Sequence, residues 1–176
     1  KMKKIKSYNP DRSVTLLPKI DDNLISNLYS ELQNITIKQL GVSNVRLNFK
    51  PTNRSVVFGT SKGRFSGIIG PSAASKKYPH IWKILQKIGN QLPTEFNSVF
   101  LNHNVICSPH KDSNNVGKSI LLSFGDYTGA EIVIDGTKYN ANRQPVLFNG
   151  SLLEHYNTDD LVGNKYSLVF FKGNYD

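Results

Sequence analysis

The sequence contains little of what builds disulfide-bonded, multi-cysteine zinc or membrane-spanning proteins. Cys107 is the single cysteine among 176 residues, which excludes an internal disulfide and a zinc site made of several cysteines. Uncharged apolar runs such as residues 120–122 and 168–171 fall far short of the roughly 18 to 20 residues that a membrane-spanning helix needs. The basic N-terminus lacks the apolar stretch of a secretory signal. We therefore expect a soluble intracellular protein, cytoplasmic or nuclear, without a membrane partner.

Charge is unevenly distributed along the chain. The net charge is +9: residues 1–100 hold 16 Lys and Arg against 5 Asp and Glu, and residues 101–176 hold 6 against 8. The basic front half favours an anionic partner such as nucleic acid, and the alternative is that these lysines only keep the protein solvated. Candidate phosphate contacts are Lys3, Lys4, Lys6, Arg12, Lys50, Arg54, Lys62, Arg64, Lys76 and Lys77.

No internal repeat or long linker divides the chain, so we predict a single domain over residues 1–176. Residues 1–95 would form an N-terminal support and substrate-facing region, and residues 96–176 the core. Apolar residues at helical spacing predict helices over 21–40, ended by Gly41, and over 78–91. Short strands are predicted at 44–49, 55–58 and 64–69.

From about residue 97 onward the pattern becomes strand after strand. β-rich runs occupy residues 98–106, 118–124, 131–134, 145–148 and 166–171. Turn signals separate them at 125–126, 128–129, 135–136 and 149–150. This pattern predicts an α+β protein that is mainly β, a double-stranded β-helix (jelly roll) with N-terminal buttressing helices.

Three residues have the types and spacing of a metal site. His110 and Asp112 follow a predicted strand and, two residues apart in extended chain, point to the same side. His155 lies 45 residues further on and supplies a third ligand. Two histidines and one carboxylate leave coordination positions open, as in the facial triad of non-haem Fe(II) oxygenases. The alternative is that His110 is a loop histidine and His155 a hydrogen-bonded residue near the end of a strand. His80, which opens the second predicted helix, and His103, within a predicted strand, are interpreted as structural.

A cation opens the last predicted strand, ten residues after His155. Lys165 and Ser167 share one face of that strand because side chains alternate with a period of two. A lysine inside a jelly roll needs an anion to offset the cost of burial, and the distal carboxylate of 2-oxoglutarate has that charge. A solvated lysine on an edge strand is the alternative.

With these motifs the sequence resembles the 2-oxoglutarate/Fe(II)-dependent dioxygenases over residues 95–173. It is most similar to the branch with the ten-eleven-translocation and base-J-binding thymidine hydroxylases and their phage, algal and viral relatives. The motifs that carry the resemblance are residues 110–115, 125–131, 148–150 ahead of His155, and 165–167. Lys165 stands where arginine is commoner, which implies a point charge rather than a bidentate fork for the co-substrate.

The resemblance implies a complete set of site residues. Fe(II) would be held by His110, Asp112 and His155, and 2-oxoglutarate by Lys165, Ser167 and Asn102. Asn115 matches an asparagine that helps to hold the target base, a turn asparagine being the alternative. Lys62 and Arg64 are candidate substrate contacts because of the basic front half and not because of the resemblance. O2 is the second co-substrate, and ascorbate is expected to support activity.

The predicted reaction is therefore oxidation of a C–H bond, coupled to conversion of 2-oxoglutarate to succinate and CO2. The basic front half and Asn115 favour a nucleic-acid base as the substrate. Prolyl or lysyl hydroxylation of a protein is the first alternative. A non-catalytic jelly roll that binds an anionic partner is the second.

Overall fold

The computed structural model describes residues 9–35, 54–63 and 65–175. The predicted strand at 44–49 and the candidate contacts Lys3, Lys4, Lys6, Lys50 and Arg64 lie outside these residues. Within them, no helix is long and apolar enough to cross a membrane. The helices of this part are α1 (Asp22–Gln33), α2 (Ala73–Lys77) and α3 (Pro79–Gly89). Its strands are β1 (Thr15–Leu16), β2 (Arg54–Lys62), β3 (Ile69–Pro71), β4 (Ser98–His103), β5 (Asn115–Thr128), β6 (Ile132–Ile134), β7 (Thr137–Tyr139), β8 (Val146–Phe148), β9 (His155–Asn157) and β10 (Val162–Gly173).

The strands form two antiparallel sheets. The major sheet has the order β1-β8-β5-β10-β4-β2-β3, and the minor sheet has the order β7-β6-β9. Strands β5 and β10 are the long central pair of the major sheet, with Lys165 opposite Gly125. The fold is mainly β, with helices ahead of the sheets, and confirms the predicted jelly roll.

The two faces of the major sheet contact different parts of the protein. One face packs against α1 and α3 and builds the main apolar core, since Leu28 and Leu85 of the helices lie buried with Phe58, Leu101 and Phe170 of the strands. The alternate side chains of β4, β5 and β10 point the other way, toward the minor sheet, and line a cavity. The helices therefore stabilise the sheet whose opposite face carries the polar residues.

Two predicted helix boundaries change in the structure. Asp21 begins α1 as expected, its side chain accepting from the Asn23 amide, but the helix ends at Gln33 rather than near Gly41. The amides of Asn34 and Ile35 bond to carbonyls three residues back, which tightens the last turn and stops the helix. The second helix, predicted at 78–91, spans Pro79–Gly89.

Several strand boundaries also differ from the prediction. Gly125 and Asp126, expected to form a turn, lie inside β5. Gly125 has φ +118°, and a Cβ there would lie 2.3 Å from the Asn164 carbonyl oxygen, so the glycine permits close strand approach. β4 ends at His103 because Asn104 has φ +52°. The strand predicted at 64–69 is wrong; β3 begins only at Ile69.

Candidate metal and co-substrate site

The three predicted metal ligands meet in the structure. One ligand atom from each of His110, Asp112 and His155 lies within 4.8 Å of the others. His155 Nε2 is 3.1 Å from Asp112 Oδ2, and His110 Nε2 is 3.6 Å from Asp112 Oδ1. Each imidazole therefore faces its own oxygen of the same carboxylate, although His155 is far from the other two residues in sequence.

Backbone hydrogen bonds bring these residues together. His110 and His155 form an antiparallel bridge in which each amide donates to the other's carbonyl, at 3.1 and 3.0 Å. The Asp112 amide donates to the Gly150 carbonyl at 2.8 Å, which fixes the aspartate beside the turn that precedes His155. The chain segments of all three ligands are thus joined by main-chain bonds, independently of any metal.

The same kind of hydrogen bond orients both imidazole rings. His110 Nδ1 lies 2.7 Å from the Ser108 carbonyl oxygen, and His155 Nδ1 lies 2.8 Å from the Leu153 carbonyl oxygen. Because a carbonyl only accepts, we assign the ring proton to Nδ1 in both histidines. The Nε2 lone pairs then point at the Asp112 carboxylate. A carbonyl oxygen that accepts from Nδ1 behind each ring is typical of metal-binding histidines.

These residues fit a divalent transition metal. With both rings neutral, two Nε2 lone pairs and a carboxylate converge on one point, where a cation would interact favourably with all three. Gly150 leaves room for the Asp112 carboxylate and the His155 ring, because a Cβ at position 150 would lie 2.9 Å from Asp112 Oδ2 and 3.3 Å from His155 Cε1. Two histidines and one carboxylate are the ligand set of non-haem Fe(II) centres that keep positions open for substrates.

Lys165 is a buried cation at the same cavity. Its side chain is only 5% exposed, and burial lowers its pKa to about 8. Nζ donates to the Ala130 carbonyl at 2.7 Å and lies 5.6 Å from the centre of the Tyr127 ring. Among the described residues, no carboxylate lies within 4.0 Å of this ammonium. One of its three N–H groups is used by Ala130, so an anion in the cavity has donors available.

The other residues predicted for 2-oxoglutarate and substrate fall into two groups. Asn102 and Ser167 are cross-strand partners that line the cavity, with Asn102 Nδ2 donating to Ser167 Oγ at 3.3 Å. Asn115 also lines it and donates to Ser119 Oγ at 3.4 Å. Lys62 is exposed at the end of β2, outside the cavity. Arg64 lies outside the described residues.

The remaining basic and histidine residues lie elsewhere. Arg12 is engaged with both Asp135 oxygens at 3.0 Å, and Lys76 and Lys77 are exposed at the end of α2. Neither His80, 3.3 Å from Glu31, nor His103, stacked on Tyr166, lines the cavity. The structural interpretation of these two histidines agrees with their positions.

Besides its apolar residues, the cavity has two residues that sequence reasoning missed, Cys107 and Asn157. The Cys107 amide donates to Asn157 Oδ1 at 3.1 Å, and the Asn157 amide donates to the Cys107 carbonyl at 3.0 Å. Both side chains line the cavity together with Lys165. Asn157 follows His155 by two residues, so strand alternation alone places it on the same face. Nothing in the sequence near Cys107 indicated that it would lie beside Lys165.

Comparisons with known proteins support the fold. The sequence matches no protein-family model and no curated protein sequence. The structure is similar to NgTET1 in complex with 5mC DNA, with a TM-score of 0.64 and 15% identity over 92% of this chain and 72% of that one. It is also similar to OsALKBH1 (TM-score 0.57, 14% identity, 94% and 100% covered). A Pseudomonas putida prolyl-4-hydroxylase has a TM-score of 0.57 and 11% identity, with 93% and 94% covered. The chain has the fold of the 2-oxoglutarate/Fe(II) dioxygenases, and the resemblance seen in the sequence is confirmed at this level.

Proposed function

We propose that this protein is a dioxygenase that uses Fe(II), 2-oxoglutarate and O2 to oxidise a C–H bond. The observation that carries the proposal is one cavity with two complementary ends. His110, Asp112 and His155 converge at one end, and at the other Lys165 provides a buried cation with no carboxylate within 4.0 Å among the described residues. A metal and a carboxylate satisfy both ends, and 2-oxoglutarate carries two carboxylates at its ends.

The protein's own residues have distinct tasks in this proposal. The two histidines and Asp112 hold Fe(II), and Lys165 with Ser167 and Asn102 binds the distal carboxylate of 2-oxoglutarate. The iron, when bound, supplies the activation of O2 that couples decarboxylation of 2-oxoglutarate to oxidation of the substrate. Apolar side chains line the rest of the same cavity and exclude water from it. They include Phe100, Leu121, Ile132, Phe148 and Val169.

The test of this activity is succinate release from 2-oxoglutarate with Fe(II), O2 and ascorbate. We expect His110→Ala and Asp112→Ala to lose turnover, and His80→Ala, which removes a histidine outside the cavity, to retain it. Undiminished turnover by Asp112→Ala would contradict the ligand assignment. Absence of succinate with every substrate offered would instead favour a non-catalytic jelly roll.

A nucleic-acid base is the substrate that we propose. The tip of the β2–β3 hairpin extends beyond the end of the major sheet where the metal ligands lie. At that end, Gly59 of β2 pairs with Ser98 of β4, and Ser119 of β5 pairs with Phe148 of β8. β2 is three strands from β5, about 14 Å, so a polymer contacting the hairpin can also reach the end of β5 where Asn115 lines the cavity.

The hairpin has the chemistry that nucleic acid requires. Phe65 and Ile68 at its tip are 95% and 71% exposed, and Lys62 is exposed beside them. An exposed aromatic ring stacks on bases, and lysine neutralises phosphates. Duplex DNA would have to present its base by flipping it into the cavity. The similarity to NgTET1 in complex with 5mC DNA supports the same choice.

Mass spectrometry of DNA, RNA and peptide pools after incubation with the complete assay decides the substrate. We expect an oxygen gained on a base, and affinity for oligonucleotides that falls with rising salt at a slope of roughly −0.7 to −0.9 per neutralised phosphate. Oxidation of the peptide pool, with affinity for oligonucleotides absent, would favour the protein hydroxylase instead. That second candidate is supported by the similarity to the prolyl-4-hydroxylase.

A further inference from the structure

The acceptor that anchors the Lys165 ammonium is held in an unusual backbone conformation. Ala130, whose carbonyl accepts from Lys165 Nζ, lies in the connection between β5 and β6 and is 2% exposed. It has φ +48°, and the preceding Gly129 has φ +73°. The left-handed region is disfavoured for a residue with a Cβ, so the turn needs contacts that hold it in place.

Two side chains from the loop after β9 supply those contacts. Asp160 Oδ1 accepts from the Ala130 amide at 2.8 Å. The Thr158 hydroxyl donates to the same oxygen at 2.6 Å and accepts from the Glu131 amide at 3.0 Å. The hydrogen bond from Thr158, followed by that from Ala130, lowers the pKa of the Asp160 carboxyl, as expected for a carboxylate that accepts both bonds.

The glycine beside Ala130 brings the two loops into contact. A Cβ on Gly129 would lie 2.1 Å from the Asp160 carbonyl oxygen, so only glycine permits this approach. The contact is therefore made by side chains and backbone at once. Asp160 thus holds the Ala130 amide, and Thr158 holds the Glu131 amide, which belongs to the same peptide unit as the Ala130 carbonyl.

We propose that Asp160, with Thr158, is a positioning residue for 2-oxoglutarate, acting on the Lys165 ammonium through the Ala130 carbonyl. Asp160 is exposed and does not line the cavity, so it acts without touching the co-substrate. If the turn shifts, the Lys165 ammonium loses its hydrogen bond to the Ala130 carbonyl, and its other two N–H groups no longer have a fixed direction. The inference rests on the proposed function, because it assigns Lys165 to the co-substrate carboxylate.

The experiment measures 2-oxoglutarate binding by calorimetry to the full chain loaded with Mn(II), which prevents turnover. We expect Asp160→Ala to weaken 2-oxoglutarate binding about tenfold, equivalent to roughly 1.4 kcal/mol and typical of a lost hydrogen bond. Asp160→Asn keeps the accepting Oδ1 and is expected to restore binding to within about threefold of the wild type. The neighbouring Asp159→Ala removes the same charge and serves as the control.

Mn(II) affinity is the second measurement for every variant, because the metal is assigned to His110, Asp112 and His155 and not to this loop. We expect it to stay the same, which separates a shifted lysine from a damaged fold. If Asp160→Ala does not bind Mn(II), the Thr158→Val variant is tested in its place. We expect Thr158→Val also to weaken 2-oxoglutarate binding. Wild-type affinity for 2-oxoglutarate in Asp160→Ala, or an equal loss in Asp159→Ala, would overturn the inference while leaving the proposed function intact. Absence of 2-oxoglutarate binding by the Mn(II)-loaded wild type would overturn both.

Discussion

His110 and His155 are hydrogen-bonded partners in an antiparallel bridge, and each ring turns its Nδ1 to the carbonyl two residues before it. The two residues therefore have the same local geometry, although 45 positions separate them. A pair of main-chain bonds fixes the distance between the rings, and a carbonyl fixes the direction of each ring. The site is preorganised by the fold, so metal binding orders few further groups.

The space beside Asp112 gives a first prediction. Gly150→Ala places a Cβ 2.9 Å from Asp112 Oδ2 and displaces the carboxylate, so we expect metal affinity to fall by about tenfold or more. Gly70→Ala is the control, because a Cβ there meets nothing within 4 Å. Titration with Co(II), followed by its visible absorption, measures the difference. Equal affinity in both variants would show that the carboxylate is not confined by Gly150.

The lowered pKa of Lys165 predicts a pH dependence of co-substrate binding. Only the charged ammonium attracts a carboxylate, so the affinity of the metal-loaded protein for 2-oxoglutarate should decline as the pH rises above about 8. Calorimetry at several pH values measures this decline. Lys165→Met has no charge to lose and should bind weakly at every pH. A wild-type affinity that stays constant up to pH 10 would refute the role of this charge.

The same shift predicts a change in stability without ligand. The pKa falls from 10.5 to about 8 on folding, so between these values the unfolded chain binds more protons and the free energy of unfolding rises with pH. We expect a gain of roughly 2 to 3 kcal/mol across this window, judged against Lys165→Met, which removes the titrating group. Urea unfolding of the two proteins at pH 7.5 and pH 10.5 gives the comparison. A difference between them that is independent of pH would contradict the burial of a charged lysine.

Cys107 offers a direct test of where 2-oxoglutarate binds. Its side chain lines the cavity together with Lys165, and it is the single cysteine of the chain, so alkylation reports on one position. We expect 2-oxoglutarate with Mn(II) to slow alkylation by iodoacetamide several-fold, because the bound co-substrate blocks access. Acetate at the same ionic strength is the control. Equal rates with both anions would place 2-oxoglutarate outside this cavity.

The exposed ring at the hairpin tip gives a prediction for substrate binding. Phe65→Ala should weaken binding to a single-stranded oligonucleotide by roughly 1 to 3 kcal/mol, the usual contribution of a base stacked on an aromatic ring. Val162→Ala is the matched control: Val162 is also an exposed apolar residue, 68% exposed, but it lies in the part of β10 beside Lys165, at the other end of the cavity. Fluorescence anisotropy at fixed salt measures both. An equal effect of the two substitutions would remove the hairpin from the substrate-binding surface.

Local spacing explains why much of the site was predictable. His110 and Asp112 point the same way because extended chain alternates, and Lys165 and Ser167 do so for the same reason. This alternation relates residues that are close together in the chain, so it can be recognised from the sequence alone. The succession of short β-rich runs and turn signals predicted the jelly roll, although not the end of α1 at Gln33 or the passage of β5 through Gly125.

The sequence alone thus determined the mainly β fold and predicted the candidate ligands and Lys165, because these depend on the identity and alternation of adjacent residues, but it left open whether Lys165 is buried. The tertiary structure alone decided that His110 pairs with His155, that the Ala130 carbonyl anchors Lys165, and that Asp160 holds Ala130. These contacts join residues 30 or more positions apart. They depend on strand register and on left-handed turns, which are set by the packing of the whole sheet rather than by local sequence.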